Sequence, residues 1–319
     1  MRKIAITTGD PNGIGAEITI KALNRLNLAP KDVVLISNKK VLDFYGKLDR
    51  DYEIVEIPFE SKIEAGKVTA ESGEFSFQSI KKACEIEARA IVTAPVAKNA
   101  LYLAGHKFNG QTEILQKYLA KDNQLAEMLF LAGNFRVLLL TRHVALKDIN
   151  LTKDLVVEKV LNLKTFFNEH FGIKNPKFAL CGFNPHAGED GILGREEIEI
   201  LKPAVEDLHK KGISITEPLP ADTLFVEAAR EYLESSNCQI SQSKISTNST
   251  IYDCYIANYH DQGLIPIKTV AGNKTVNMTI GLDIIRTSPG HGTAFDIAGK
   301  NIADETGMIE AIKAVLKSV

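Results

Sequence analysis

The sequence has no tryptophan, only four cysteines and almost no excess of charge. Thirty-eight Lys and Arg face 40 Asp and Glu, a formal net charge of −2. That balance supplies no broad electrostatic attraction to nucleic acid or to an anionic membrane. Cys84, Cys181, Cys238 and Cys254 are scattered with no CxxC spacing, which excludes a zinc knuckle and a disulfide framework. The sequon Asn248-Ser249-Thr250 is therefore expected to escape glycosylation. No apolar run approaches the roughly 20 residues that span a bilayer. The start, MRKIAITTGDPNGIG, offers a five-residue apolar stretch, too short for a signal-peptide core of roughly 7–15 residues. A cytoplasmic protein is expected. What is present is ordinary: 45% hydrophobic and 24% charged residues over 319 positions, enough for one large core or two moderate ones.

Short apolar runs alternate with amphipathic stretches. Lys3–Thr7, Asp32–Ile36, Ala90–Thr93, Arg136–Leu140, Lys177–Cys181 and Tyr252–Ala257 have the length and residue types of strands. The spacing of Leu155, Val156, Val160, Leu163 and Phe167 predicts a helix over Lys153–His170, capped by Thr152 and stopped at Gly172. Further helices are expected at Ala16–Leu26, Glu74–Glu87, Ile198–Lys211 (bent at Pro203) and Gly307–Lys317. The alternation predicts an α/β fold with mostly parallel sheets covered on both faces. The polar stretch 235–250 departs from this texture and reads as an exposed connection, with a functional lid as the alternative.

Polar, loop-forming residues follow five of the six apolar runs: Thr8–Gly13, Thr93–Lys98, Thr141-Arg142-His143, Asn184–Glu189 and Asn258–Gly263. In α/β sheets ligands bind beyond the carboxyl ends of strands. His143, His186 and His260 each lie just past such an end, and three neutral imidazoles can hold a divalent metal with positions left open. The same residues could instead serve as ordinary hydrogen-bonding histidines. His170 and His209, near helix C-termini, read as structural. GDPNGIG lacks the GxGxxG spacing, so a turn into a helix suffices for it. Lys268, Asn277 and Arg286 could bind a small dianion such as a phosphate ester, or be surface charges.

In TTGDPNGIGAEI, TAPVAKNAL, NGQTEIL, TRHVALKDI, CGFNPHAGEDGILGREE, PLPADTLF, NYHDQGLIPIK, VNMTIGL and IIRTSPGHGTAFDIAGK the chain resembles the 4-hydroxythreonine-4-phosphate dehydrogenase family of vitamin B6 biosynthesis. The resemblance runs from Thr7 to the C-terminal helix. It implies a two-domain fold like that of isocitrate and isopropylmalate dehydrogenases rather than a Rossmann fold. One domain would comprise residues 1–110 plus 275–319 and carry the cofactor loop. The other, 111–274, would carry the metal ligands and the interface of a homodimer with shared active sites. His143, His186 and His260 would be the ligands of zinc, cobalt, magnesium or manganese. Gln111, Thr112, Lys268, Asn277 and Arg286 would contact substrate. His291, Gly292, Ala294, Asp296 and Asn301 would bind NAD or NADP. Where the family has histidine in Gly-His-Thr-Glu, this chain has Gln111.

The implied reaction oxidises the C3 hydroxyl of 4-phosphooxy-L-threonine and decarboxylates the β-keto acid to 3-amino-2-oxopropyl phosphate, with Asp222, Asp261 and Lys268 as candidates for proton transfer or orientation. A phosphorylated threonate is the alternative substrate, and phosphate acyl transfer the alternative chemistry on a related architecture.

Overall fold

The computed structural model describes residues 2–122, 124–235 and 252–318. They fall into two compact units, Met1–Ala126 with Val276–Val319 and Glu127–Thr275. The first unit therefore keeps 111–126, which the family resemblance assigns to the other. The reason is local: helix Gln111–Leu119 packs against helix Ala70–Glu85, and Gln124 Nε2 donates to Asp283 Oδ1 at 2.5 Å.

The sheet of the first unit has the order Glu53–Glu56, Val33–Ser37, Ile4–Thr7, Ala90–Thr93, Ile285–Pro289, Val276–Ile280. All pairings are parallel except the last. Ile4, Ile6, Val33, Leu35, Ile36, Ile91 and Val92 are fully buried, as a sheet covered on both faces requires. Ile4 is in register with both Val33 and Ala90, so Thr7 and Thr93 end side by side. Their following loops touch where Gly9, at φ +69°, lies against Pro95; a Cβ there would stand 2.2 Å from the Pro95 carbonyl oxygen.

In the second unit Glu127–Ala132 and Phe135–Leu139 form an antiparallel hairpin, continued in parallel by Cys254–Ala257, Lys177–Leu180 and Ser214–Ile215. Helix Lys153–His170 begins where expected, with Thr152 Oγ1 accepting from the Leu155 N–H, and buries Val156, Val160, Leu163 and Phe167. Helix His260–Ala271 lies close on the sheet because Gly263 has no side chain; a Cβ there would meet Leu139 and Val137 at 2.7 Å. The helix expected over Ile198–Lys211 is a π-helical turn, Glu197–Leu201, running into Lys202–Lys210. The Pro203 ring would clash with the Glu199 carbonyl in a regular α-turn, and the wider turn, closed by the Lys202 N–H on the Glu197 carbonyl, lies just before it.

Glu53–Glu56, Glu127–Ala132, Ser214–Ile215, Val276–Ile280 and Ile285–Pro289 were not expected as strands. Among the described residues no helix is long and apolar enough to cross a membrane. The polar stretch beyond Ser235 and Cys238 lie outside the described residues.

Candidate functional site

Two of the three predicted metal ligands meet in the second unit. Leu139 and Ala257 end paired parallel strands, so the segments beyond them emerge side by side. Hydrogen bonds from the Leu140 N–H to the Ala257 carbonyl (2.8 Å) and from the Thr141 N–H to the Asn258 carbonyl (3.1 Å) prolong that pairing. Asn258 Nδ2 donates to the Cys181 carbonyl (2.8 Å), fixing the turn from below. His143 and His260 then stand with ring centroids 5.5 Å apart. His260 Nδ1 is 2.7 Å from Asp261 Oδ1, which orients the ring.

His186 lies in the turn Pro185–Gly191, with its Nδ1 2.5 Å from Glu189 Oε1 and its side chain 62% exposed. That hydrogen bond and the charge of Glu189 raise the imidazole above its ordinary pKa, with Asp222 adding to the same effect. His186, Ala187, Gly188, Glu189 and Asp190 all have positive φ, from 41° to 82°. A left-handed residue other than glycine costs roughly 1–2 kcal/mol, so such a run persists only where its surroundings hold it. Among the described residues no three His, Cys, Asp or Glu side chains are grouped to hold a metal. The structure joins His143 to His260 and does not add His186. The donor chemistry nonetheless suits a divalent metal, since carboxylates on Nδ1 leave Nε2 of His186 and His260 as ligating atoms.

The predicted substrate residues of the first unit converge on the end of strand Ala90–Thr93. Arg286 is 2% exposed; its Nε and Nη2 donate to Thr93 Oγ1 at 2.8 and 2.5 Å. Burial pulls its pKa down to about 9, which leaves it cationic at neutral pH. Among the described residues it makes no ion pair. One residue on, Gln111 Nε2 donates to the Ala94 carbonyl (3.2 Å), while its buried Oε1 has no partner. Gln111 and the buried Thr112 open helix Gln111–Leu119, whose first backbone N–H groups lack helical acceptors. Asn277, on the strand paired with that of Arg286, also has a buried Oδ1 without a partner. A buried cation beside a helix N-terminus and two incompletely satisfied amides is suited to an oxyanion. Lys268 is exposed on helix His260–Ala271 of the second unit, and Asp222 is exposed in the first turn of Ala221–Ser235.

The predicted cofactor residues share one loop of the first unit, after strand Ile285–Pro289. Gly292, Asp296 and Asn301 are exposed, His291 and Ala294 half-buried. Ala294 and Asn301 adopt φ of 42° and 58°. Accessible polar groups in one continuous loop fit a dinucleotide. Lys21 Nζ donates to the Asn301 and Ala303 carbonyls, and Glu17 Oε1 accepts from the Ala303 N–H at 2.8 Å. The Ile14 N–H donates to the Thr293 carbonyl at 3.0 Å. GDPNGIG, readable as a simple turn, is thus also the support of this loop. Within it Asp10 is buried, accepts from the Asn12 N–H at 2.9 Å, and is pushed by desolvation up to about 6.

His209 Nε2 lies 2.8 Å from the Ile215 carbonyl and His170 packs on Phe166, both structural placements. Sequence reasoning missed Thr93 and Thr279 as the hydroxyls around Arg286, and Asn184 with Glu197 as the support of the His186 turn. Thr93 and Asn184 open polar segments already singled out; Glu197 carried no separate signal.

The chain matches the family described as "Pyridoxal phosphate biosynthetic protein PdxA" over residues 5–315. It is 38% identical to the 4-hydroxythreonine-4-phosphate dehydrogenase of Sulfurihydrogenibium sp., over 99% of this chain and 98% of that one. It is 36% identical to the D-threonate 4-phosphate dehydrogenase of Salmonella typhimurium, over 99% and 98% respectively. The crystal structure of 4-hydroxythreonine-4-phosphate dehydrogenase from Klebsiella pneumoniae superposes with a TM-score of 0.82 at 31% identity, covering 99% of both chains. A β-decarboxylating dehydrogenase from Thermococcus kodakarensis, 14% identical with a TM-score of 0.55 over 97% of this chain and 81% of that one, shares the fold. The chain therefore belongs to the PdxA family and has the mixed α/β fold of the isocitrate and isopropylmalate dehydrogenases.

Proposed function

We propose that this protein is a metal- and NAD(P)-dependent dehydrogenase that oxidises 4-phosphooxy-L-threonine and releases carbon dioxide, giving 3-amino-2-oxopropyl phosphate for pyridoxine 5'-phosphate synthesis in the cytoplasm. The observation that carries the reading is Arg286, a buried cation without an ion pair among the described residues, in a chain related throughout its length to dehydrogenases of phosphorylated substrates.

Arg286 and the N-terminus of helix Gln111–Leu119 hold the phosphate, with Thr112, Asn277 and Lys268 completing the substrate contacts. His143, His186 and His260 would hold one divalent ion, which would supply Lewis-acid polarisation at the reacting oxygen. The loop of His291, Gly292, Ala294, Asp296 and Asn301 would hold the adenosine part of the nicotinamide cofactor, which would supply the hydride acceptor. Asp261 orients His260 through Nδ1. Asp222 sets the charge near His186. Lys268 remains as the group that moves the hydroxyl proton.

Two copies build each site. His143 and His260 come from one chain and His186 from its partner, a division supported by the pairing of the first two and the exposure of the third. Val144 and Leu146, beside His143, are 48% and 68% exposed; Ile192 and Leu193, just past the His186 turn, are 79% and 44% exposed. Exposed apolar side chains beside both histidine-bearing segments suit an interface between copies.

A second reading, oxidation of D-threonate 4-phosphate, is supported by the 36% identity to a dehydrogenase of that substrate, and Gln111, in place of the family's histidine, is where the two readings would part. Nicotinamide reduction measured with each phosphorylated substrate, with and without chelator, decides. Turnover of 4-phosphooxy-L-threonine that chelator abolishes is expected. Turnover of the threonate alone establishes the second reading, and reduction with neither refutes both.

A further inference from the structure

Glu197 stands outside every role assigned so far. It is a carboxylate 1% exposed, at the start of the π-helical turn Glu197–Leu201. Its partner is the residue two before His186. The Asn184 backbone N–H donates to Glu197 Oε1 at 2.7 Å, and Asn184 Nδ2 donates to Glu197 Oε2 at 2.9 Å. Asn184 Nδ2 also donates to Glu196 Oε2 at 2.6 Å. All three N–H bonds of Asn184 are thus taken by two adjacent glutamates. The Asn184 carbonyl in turn accepts from the Ala187 N–H at 3.1 Å, closing the first part of the left-handed turn. The turn comes down onto the same carboxylate at its middle: a Cβ on Gly188, at φ +82°, would stand 2.7 Å from Glu197 Oε2.

A run of four non-glycine residues in the left-handed region does not hold its own shape. Here the chain is stapled before the run by Asn184 and seated at its centre by Gly188, both on one buried carboxylate. π-helical turns recur at functional sites, and this one presents the carboxylate to the loop. We infer that Glu197 is the positioning residue of the metal site: through Asn184 and Gly188 it holds the strained turn that presents His186 to the ion. The inference rests on the proposed metal role of His186 and extends it to a residue that touches no ligand atom.

The probe is Co²⁺, titrated into the purified protein and followed by its visible absorption, which reports ligand number and geometry as well as affinity. His186→Ala is the reference. Glu197→Ala is expected to weaken Co²⁺ binding about 10–100-fold, the range for loss of an outer partner of a ligating histidine, and to move the spectrum toward that of His186→Ala. Glu197→Gln keeps an oxygen for the Asn184 N–H and is expected to restore most of the affinity. If His186→Ala leaves Co²⁺ binding unchanged, the metal reading itself fails and the inference with it. If His186→Ala weakens binding while folded Glu197→Ala matches the wild type in affinity and spectrum, only the role of Glu197 is overturned. Should Glu197→Ala not fold, Gly188→Ala tests the same contact with the carboxylate intact. Weakened Co²⁺ binding supports the seat on Glu197, and wild-type binding overturns it.

Discussion

Replacing Arg286 with methionine should remove the response of the protein to oxyanions without lowering its stability in their absence. The guanidinium is buried, donates to Thr93 Oγ1 through two nitrogens, and makes no ion pair among the described residues. Desolvation pulls its pKa well below the ordinary guanidinium value, down to about 9. The cationic form is thus disfavoured in the fold by on the order of 5 kcal/mol at neutral pH. The sign follows from a depressed base: the penalty is complete below pH 9 and is relieved only as pH rises from there toward 12.5. A bound phosphate offsets it. At 100 times its Kd a ligand of the native state adds about 2.7 kcal/mol, equivalent to a Tm rise of about 5–10 °C for a unit of this size. Arg286→Met fills similar space without charge, and neutral replacement of a poorly compensated buried ion is often neutral or stabilising by about 1–4 kcal/mol. Thermal melts of both proteins across a phosphate series are the assay. The wild type should climb several degrees while Arg286→Met starts at or above it and stays flat. A variant that melts several degrees lower without phosphate, yet climbs in parallel with the wild type, would refute the reasoning.

Asp10, raised by burial from 3.8 to about 6, binds a proton in the fold that the unfolded chain has released. Stability should therefore fall as pH rises from about 4 to 6, by about 3 kcal/mol in total. Asp10→Asn should abolish that slope in urea midpoints, and an unchanged slope contradicts the assignment. Lys159 and Glu127 form a buried pair at 2.5 Å, each pushed toward its neutral form by desolvation. Lys159→Met should cost about 3–5 kcal/mol by stranding Glu127, while Lys159→Met with Glu127→Leu recovers most of it. Additive losses in urea denaturation would count against coupling. Gln111→His should lower the KM for 4-phosphooxy-L-threonine several-fold below pH about 6.5, where the imidazole is cationic, and lose the benefit above. Parallel KM profiles of the two proteins would dispose of a charge effect at this position.

The parallel strands were legible because Ile4–Thr7, Val33–Ser37 and Ala90–Thr93 are short runs apolar on both faces, the first and third followed at once by loops and the second by the N-cap Asn38. Val276–Ile280 and Ile285–Pro289 were not, since VNMTI and IRTSP mix apolar and polar residues without a clean period. Among those polar residues, Thr279 Oγ1 accepts from the buried Arg286 guanidinium, and Asn277 keeps a buried Oδ1 without a partner. The pairing of His143 with His260 follows from strand ends in register, a relation that composition cannot reveal because Phe135–Leu139 and Cys254–Ala257 lie more than a hundred residues apart. Residues 111–126 were placed with the wrong unit because a family boundary carries no record of the Gln124 to Asp283 hydrogen bond. Glu197 escaped notice for a different reason: a glutamate in GREE looks like solvated helix charge until its burial is seen.

Mixing inactive variants tests most directly whether each site takes His143 and His260 from one chain and His186 from its partner. Hybrids of His186→Ala with His143→Ala, or with His260→Ala, contain one complete site per dimer. In a two-fold dimer assembled at random from equal parts, nicotinamide reduction should recover to about one quarter of wild type. Mixing His143→Ala with His260→Ala should recover nothing, because every site in that hybrid lacks a ligand. Recovery in the last mixture, or none in the first two once exchange of subunits is demonstrated, would contradict the account.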